Sequence, residues 1–515
     1  MILSICCCNS PTVRRIALNT DYFMGIDNGG SATKCILCDR SGHIIASAST
    51  RIPMQRGSHG ETERPAEHIW EGNCRVIRSV LESAAIAPAR IACVSFCGYG
   101  GGLTVLDHQY APVIPSIVST DTRANDLLQL YDQNGMAQQI FQYTHQQLWA
   151  GQAAVLLPWW KRHDPHTYSN FTHVLSIKDY IRFCMTGRLS TEATDASNTN
   201  LFDLQRRQFH PDCFAALDIP EAHSFFSYPV EGSAELCGTV SQEAAVCTGL
   251  LAGTPVATGL YDAASCCLAA GVLDESRLCL VMGTWSICCR LIPSEQSIPG
   301  TSTALCSFRP DMTFWEEASP TSASNLDWFL DQLLSGKDLC GSSAYDYCNQ
   351  MVADVDPASS DLIFLPYLYS SNTVSGAKAC FFNLSSHHTL RHMLAAVYEG
   401  IVFSMMDHVH RLCPHSLPPT ARLSGGPARS AIWSQMLCDL LGIPLEILES
   451  TETGALGSAM CAAAAVGAYS DLPTAAKSMN HIQKRYIPNA VRHLIYQNKY
   501  RLYQRAVEAL KVFYR

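Results

Sequence analysis

Tyr22-Phe23-Met24-Gly25-Ile26-Asp27-Asn28-Gly29-Gly30-Ser31-Ala32-Thr33-Lys34-Cys35-Ile36-Leu37-Cys38-Asp39 is the stretch on which the reading of the fold turns. Two apolar runs flank a Gly-rich turn, which is the pattern of a β-hairpin. The same shape recurs at Leu278-Cys279-Leu280-Val281-Met282-Gly283-Thr284-Trp285-Ser286-Ile287-Cys288-Cys289-Arg290-Leu291-Ile292. Gly29 and Gly283 stand about half of the 515-residue chain apart. Such spacing suggests two similar domains facing each other, although two Gly-turn hairpins could also coincide by chance.

Outside the hairpins the pattern alternates. Residues 67–85 read as a helix with Ile69, Val76, Ile77, Val80 and Leu81 on one stripe, and 91–96 as a buried strand. Residues 390–411 read as a long helix carrying Leu394, Val397, Ile401 and Met405. Leu423-Ser424-Gly425-Gly426-Pro427 reads as a strand end and glycine loop before a helix from about Ser430 to Leu441. Strands alternating with helices imply an α/β fold of mostly parallel sheets covered by helices. The natural break lies near Leu260, giving domains 22–260 and 261–515 packed around a cleft, with 1–21 as an extension.

Composition narrows the function. The chain is 47% hydrophobic and 16% charged, which is globular rather than disordered. No uncharged apolar run reaches the length of a membrane span. The net charge of −9 and the lack of a dense basic run speak against nucleic acid and anionic membranes. A small soluble partner fits better. The 24 cysteines are too sparse for a disulfide scaffold and sit in apolar stretches, which reads as a reducing cytoplasm. Cys35 and Cys38 fall in an expected strand, where positions three apart face opposite ways, so they do not suit a shared metal. His388 and His392 lack the Glu of a zinc-protease helix and read as surface residues near a helix start. Cys6-Cys7-Cys8 followed by Arg14-Arg15 is the wrong order for a secretory signal.

Three glycine loops carry the chemistry. In the first, Gly29, Gly30 and Ser31 would let backbone N–H groups approach phosphate oxygens, with Lys34 offsetting their charge. Asp27, at the strand end, suits Mg²⁺ held through water. Gly283-Thr284 and Gly425-Gly426 repeat the theme at strand turns, the latter before a helix. Each pair is a weak signal alone; three together are much stronger. Asp262 ends a predicted strand near the domain junction. By spacing it reads first as the N-cap of the helix from Ala263, and second as a carboxylate able to accept a hydroxyl proton.

These segments together resemble the FGGY carbohydrate kinases, a branch of the actin/hexokinase/Hsp70-like ATPase superfamily. The resemblance runs from Tyr22 to nearly the C-terminus. Residues 27–34 resemble the family's first phosphate hairpin, Met282-Gly283-Thr284-Trp285 the second, and Ser424-Gly425-Gly426-Pro427 with Ser430, Trp433, Gln435 and Met436 the adenosine loop and its helix. Gly259-Leu260-Tyr261-Asp262 is similar to the segment whose Asp is the catalytic base, and Glu452 to Ala459 to the family's last helix start. Phe381-Phe382-Asn383-Leu384 followed by residues 392–400 resembles its C-terminal signature, with Asn383 where Gly is usual. The resemblance implies two actin-like (ribonuclease H-like) domains around a cleft, the first binding sugar and the second nucleotide. It also implies ATP as co-substrate, Mg²⁺ near Asp27, Asp262 as general base, and Asp327 and Ser430 at the ATP site. Within the family the likeness is greatest to bacterial L-xylulose kinases, through segments such as 233–238, 317–322 and 364–372.

Departures bear on the sugar. The substrate motif found in D-xylulose and glycerol kinases is here Tyr99-Gly100-Gly101-Gly102. The family's Trp-x-Asp-x-Arg is Ser119-Thr120-Asp121-Thr122-Arg123, which makes Asp121 and Arg123 sugar-contact candidates beside Tyr99 and Gly100. The expected function is in-line phosphoryl transfer from ATP to a terminal hydroxyl of a ketose, with L-xylulose first. Other pentuloses, 3-keto sugar acids, polyols and autoinducer-2 stay open, as does a non-catalytic nucleotide-dependent sugar sensor. Cys266-Cys267 beside Asp262 raises the expectation of inhibition by thiol oxidation. The oligomeric state is not fixed by the sequence, a homodimer being one reading.

Overall fold

The structure is a computed structural model that describes residues 22–298, 300, 302–334, 343–371, 373–374 and 376–514. The expected extension 1–21 and Asn372 lie outside them. In chain order the principal elements are β1 Tyr22–Asn28, β2 Ala32–Cys38, β3 Ile44–Arg51, α1 Ala66–Ala84, β4 Ile91–Gly98, α2 Ile177–Thr186, β5 Leu236–Thr239, β6 Pro255–Ala257 and β7 Leu260–Tyr261. The second half contributes α3 Asp262–Ala269, β8 Arg277–Met282, β9 Ser286–Pro293, β10 Thr303–Cys306, β11 Met312–Ser319 and α4 Ala323–Phe329. It ends with α5 Leu390–Leu412, β12 Thr420–Ser424, α6 Ala431–Leu441, β13 Leu445–Leu448, α7 Thr453–Ala465, α8 Leu472–Met479, β14 Ile482–Tyr486 and α9 Ala490–Phe513.

Both expected hairpins form, and topology supplies the third observation that chance cannot. The first sheet runs β5-β6-β4-β1-β2-β3, with β7 also on β4. The second runs β14-β13-β12-β8-β9-β11-β10. In each, the hairpin strands pair antiparallel with each other and with the next strand, while the neighbour on the other side is parallel. A further parallel strand and an antiparallel edge strand follow in both. Six strands thus repeat in the same order and sense.

The sheets stack as five layers, because alternate residues of one strand feed different cores. Met24 and Ile26 point with Cys35 and Leu37 into the core under α1 and α2. Phe23, Ile36 and Cys38 point the other way, against α3 and α7. Cys35 and Cys38 therefore face opposite cores. From the second sheet, Cys279, Cys289 and Leu291 join α3 and α7, whereas Leu278, Leu280 and Cys288 pack under α5, α6 and α9. Helices α3 and α7 form the middle layer. Helix α7 packs closely on both sides: a Cβ on Gly25 of β1 would lie 1.8 Å from the Ala455 carbonyl, and one on Gly457 2.1 Å from that of Ser265 in α3. The break expected at residue 260 falls within β7, which completes the first sheet, while the second sheet begins at Arg277.

Candidate active site

Asp27 is the penultimate residue of β1, opposite Lys34 in β2 and beside Cys97 in β4. Burial pushes its carboxyl up to about 6, with Lys34 and the Cys97 thiol opposing and Glu452 adding to the rise. Lys34 Nζ meets Glu452 Oε2 at 2.8 Å, which ties the first hairpin to the start of α7. A Cβ on Gly454 would lie 2.6 Å from Asp27 Oδ2, so this turn of α7 seats the carboxylate. Asp27 Oδ1 is buried and has no hydrogen-bond partner. A free carboxylate oxygen beside an open glycine turn fits the water shell of a hard divalent cation.

Asp262 occupies the first position of α3. Tyr261 is the N-cap and its side chain makes no capping bond, so Asp262 stands one residue further in than expected, its carboxylate taking a hydrogen bond from the Ala263 backbone. The shift arises because β7 runs through Tyr261, whose N–H donates to Thr194 Oγ1 at 2.9 Å. Burial first, then the nearby charges of Asp27 and Glu316, hold the Asp262 carboxyl well above the usual carboxylate range. The Tyr261 hydroxyl donates to both Glu316 oxygens, at 3.1 and 3.0 Å, and so fixes the entry to α3. Glu316 itself is raised to about 7, chiefly by burial. The site therefore concentrates negative charge and favours a cation or proton at neutral pH.

The glycine loops lie at the ends of these strands. Gly30 and Ser31 are exposed, and a Cβ on Gly30 would meet nothing. In the second hairpin Gly283 N–H donates to the Trp285 carbonyl at 3.0 Å. The Gly283 carbonyl accepts from Ala323 N–H at 3.1 Å, and the Thr284 carbonyl from Ser324 Oγ at 3.1 Å, which ties the loop to α4. Gly425 has φ +99°, and a Cβ there would lie 1.9 Å from the Met282 carbonyl. Only glycine lets this third loop reach the second. Ser430 caps α6 and donates to Asn349 Oδ1 at 2.7 Å; Asp327 accepts from the Tyr345 hydroxyl at 2.6 Å. One helix, Ala344–Ala353, thus carries partners of both candidate ATP residues, and neither Tyr345 nor Asn349 was suggested by the sequence.

The sugar candidates divide. Tyr99 is buried and donates its N–H to the Asn28 carbonyl at 3.2 Å; a Cβ on Gly100 would collide with Asn198 and Tyr261. Both therefore sit beside the Asp27–Asp262 site. Asp121 and Arg123 hold each other instead. Arg123 Nε and Nη2 donate to the two Asp121 oxygens at 2.9 and 2.8 Å, Glu63 takes the guanidinium at 2.5 Å, and Trp159 and Trp160 cover it. Asp121 also accepts from Thr62 N–H at 2.7 Å.

Two buried charged groups escaped sequence reasoning. The Arg64 guanidinium is 2% exposed, donates to the Gly30 carbonyl, and has no carboxylate partner among the described residues. Behind Tyr99, buried Lys178 bridges Asp179 at 2.6 Å and Asp195 at 3.4 Å, and Arg182 reaches Asp179 at 3.1 Å. Nothing in a local pattern separates these charges from a solvated helix face. The Cys266 and Cys267 thiols are pushed well above the ordinary thiol range, chiefly by burial, which disfavours the thiolate that oxidation needs. His392 caps its own helix, since its ring accepts from Thr389 N–H at 3.1 Å.

Two family descriptions match. Residues 22–269 match the N-terminal domain of the FGGY family of carbohydrate kinases, and residues 278–466 its C-terminal domain. The chain belongs to the FGGY family of carbohydrate kinases. This sugar kinase is 36% identical over 497 residues to a probable L-xylulose kinase of Pasteurella multocida, covering 95% of this chain and 99% of the relative. It is 35% identical to the L-xylulose/3-keto-L-gulonate kinase of Escherichia coli, covering 96% and 98%. In fold it is similar to a gluconate kinase from Lactobacillus acidophilus, with TM-score 0.88, 22% identity, and coverage of 96% and 99%. A ligand-bound xylulose kinase from the same organism also gives TM-score 0.88, at 23% identity over 96% and 99%. As a member of this family the protein is a phosphotransferase with an alcohol acceptor and uses ATP as co-substrate. No described helix is long and apolar enough to cross a membrane.

Proposed function

We propose that this kinase phosphorylates L-xylulose at a terminal hydroxyl, with Asp262 as general base. The placement of Asp262 carries the mechanism: it stands at the start of α3 in the charge field of Asp27 and Glu316. Burial and like charge raise its proton affinity towards the working range of a base at neutral pH. The two L-xylulose kinase relatives, matched over nearly their whole length, support the sugar.

Asp262 would take the hydroxyl proton as the sugar oxygen attacks the γ-phosphate. Phosphoryl transfer through a loose transition state needs positioning and charge neutralisation more than a strong base. Backbone donors of Gly30 and Thr284, with Ser31, would hold phosphate oxygens in place, while Gly29 and Gly283 shape the turns through N–H groups bonded to the Ala32 and Trp285 carbonyls. Lys34 would offset their charge, and Gly425, Gly426, Ser430 and Asp327 would position the nucleoside. Asp27 would hold Mg²⁺ through water, and that ion supplies further neutralisation of phosphate charge. Tyr99 and Gly100 would line the sugar side. Asp121 and Arg123, satisfied by each other, would shape that wall. Closure of the two halves would exclude water and limit wasteful ATP hydrolysis. The free thiols support work in a reducing cytoplasm.

Arg64 favours a second reading. A buried cation without a carboxylate partner, beside the first loop, suits an anionic substrate such as a 3-keto sugar acid. ADP release is measured with Mg·ATP across ketoses, sugar acids and polyols. L-xylulose is expected to give the highest kcat/KM. A sugar acid that is faster, and that Arg64→Met slows at least tenfold more than L-xylulose, establishes the second reading. Turnover of neither overturns both.

A further inference from the structure

The turn between β2 and β3 lies at the opposite end of β2 from the phosphate turn, roughly 20 Å away for a seven-residue strand. There the first half of the chain touches the second. Among the described residues, His43, Glu449 and His481 form the one group of three His, Cys, Asp or Glu side chains whose ligand atoms all lie within 4.8 Å of one another. His43 closes the β2–β3 turn, Glu449 follows β13, and His481 precedes β14. The Glu449 N–H donates to the His481 carbonyl at 2.9 Å, beside an irregularity in β13–β14 pairing; Glu449 is exposed and His481 partly so. Arg40 donates to the Ala468 carbonyl at 2.8 Å and presses the turn onto the second half.

Ser41 sets the protonation of both rings in their neutral form. Its hydroxyl donates to Asp39 Oδ1 at 2.6 Å, which uses its only proton. The 2.7 Å contact between Ser41 Oγ and His43 Nδ1 must then be Nδ1–H donating, which leaves a lone pair on His43 Nε2. The Ser41 carbonyl lies 2.8 Å from His481 Nε2 and accepts its proton, which leaves a lone pair on His481 Nδ1. A hydrogen-bond acceptor behind each imidazole is the arrangement that orients metal-binding histidines. No hydrogen bond or ion pair holds the Glu449 carboxylate among the described residues. The two rings stack 4.5 Å apart at 15°. Imidazole lone pairs lie in the ring planes, so one ring swings out of the stack about its side-chain torsions when both nitrogens meet a single ion at about 2.0 Å.

We infer that His43, Glu449 and His481 bind a divalent transition cation of the zinc type, which ties the two halves together far from the phosphate loops. Two imidazoles, one carboxylate and a water suit zinc, whereas magnesium and calcium prefer all-oxygen sites. The test uses the whole chain stripped by a chelator, with Zn²⁺ titrated by calorimetry and thermal unfolding. One zinc per chain and a Tm that rises with zinc concentration are expected. His43→Ala and Glu449→Ala should each weaken binding at least tenfold, with the metal-free Tm and the kinase rate unchanged. Ser41→Ala should weaken it about 10–100-fold, because it removes only the group behind one ring. Co²⁺ in place of zinc separates this site from the cysteines. Visible bands without thiolate charge transfer support nitrogen and oxygen ligands. A thiolate band, equal zinc affinity in wild type and His43→Ala/His481→Ala, or no zinc binding by wild type overturns the inference.

Discussion

Replacing Asp262 with Asn removes one negative charge from a place that holds it at a cost. Burial, Asp27 and Glu316 keep the folded-state pKa of this carboxyl well above its ordinary value. The folded protein therefore retains a proton that the unfolded chain gives up near pH 4. The cost is absent below that pH and grows as pH rises towards the folded value. At pH 8 the wild type therefore bears the cost of ionising this buried carboxyl beside Asp27 and Glu316. Asn also loses the attraction of a carboxylate to the N-terminus of α3, worth about 0.3–1 kcal/mol. The first effect wins, and Asp262→Asn should raise Tm at pH 8, by roughly 1 °C per kcal/mol relieved in a chain of this length, with a smaller gain at pH 5. The same change should lower kcat about 10²–10⁴-fold if Asp262 is the base. Scanning calorimetry of the enzyme without Mg²⁺, paired with coupled ADP release, reads both. A lower Tm at pH 8 refutes the electrostatic reasoning, and kcat within tenfold of wild type refutes the base.

Gly454→Ala places a methyl 2.6 Å from Asp27 Oδ2, and a displacement of about 1 Å at a reacting centre costs about 10²-fold; kcat/KM should fall by that order while Tm is kept. Lys499→Met should destabilise by about 3–5 kcal/mol in urea unfolding, because it leaves buried Glu399, paired to Lys499 at 2.6 Å, without its cation; adding Glu399→Gln should recover most of the loss. Burial raises the pKa of Glu317, but the His408 hydrogen bond, Arg411 and Ser302 outweigh it and carry it down to about 2. Its contribution is present above its ordinary pKa and is lost as pH falls towards 2. Glu317→Gln should therefore cost up to about 3 kcal/mol at pH 7, and the gap in acid unfolding should close near pH 2.

The elements that were legible in the sequence are those with local causes. Gly29-Gly30 and Gly283-Thr284 interrupt apolar runs, and both hairpins form there. The stripe from Ile69 to Val80 gives α1, whose observed start at Ala66 is one residue early. The parts that were not legible depend on partners distant in sequence. Glu316 meets Tyr261 only because β11 passes the end of β7. Lys178 and Asp179 look like a solvated pair until the fold buries them at 0% and 2% exposure. Asp121 and Arg123 match a family motif, yet Glu63 and two tryptophans, which no local motif connects to them, complete their ion pair. His43 and His481 lie at opposite ends of the chain.

Helix α7 has a consequence for how the chain is made. It covers β1, β2 and β4, yet its residues leave the ribosome more than four hundred positions after β1. Until then Phe23, Ile36 and Cys93 have only the eight residues of α3 on their side, and the first sheet shows an apolar face to its surroundings. Contacts closed over such a sequence separation form slowly, and the waiting surface is prone to aggregation. The two family domains are thus not independent folding units. A gene cut at residue 260 or 270 should yield an insoluble first half when it is expressed alone, and a soluble pair when both halves are synthesised together.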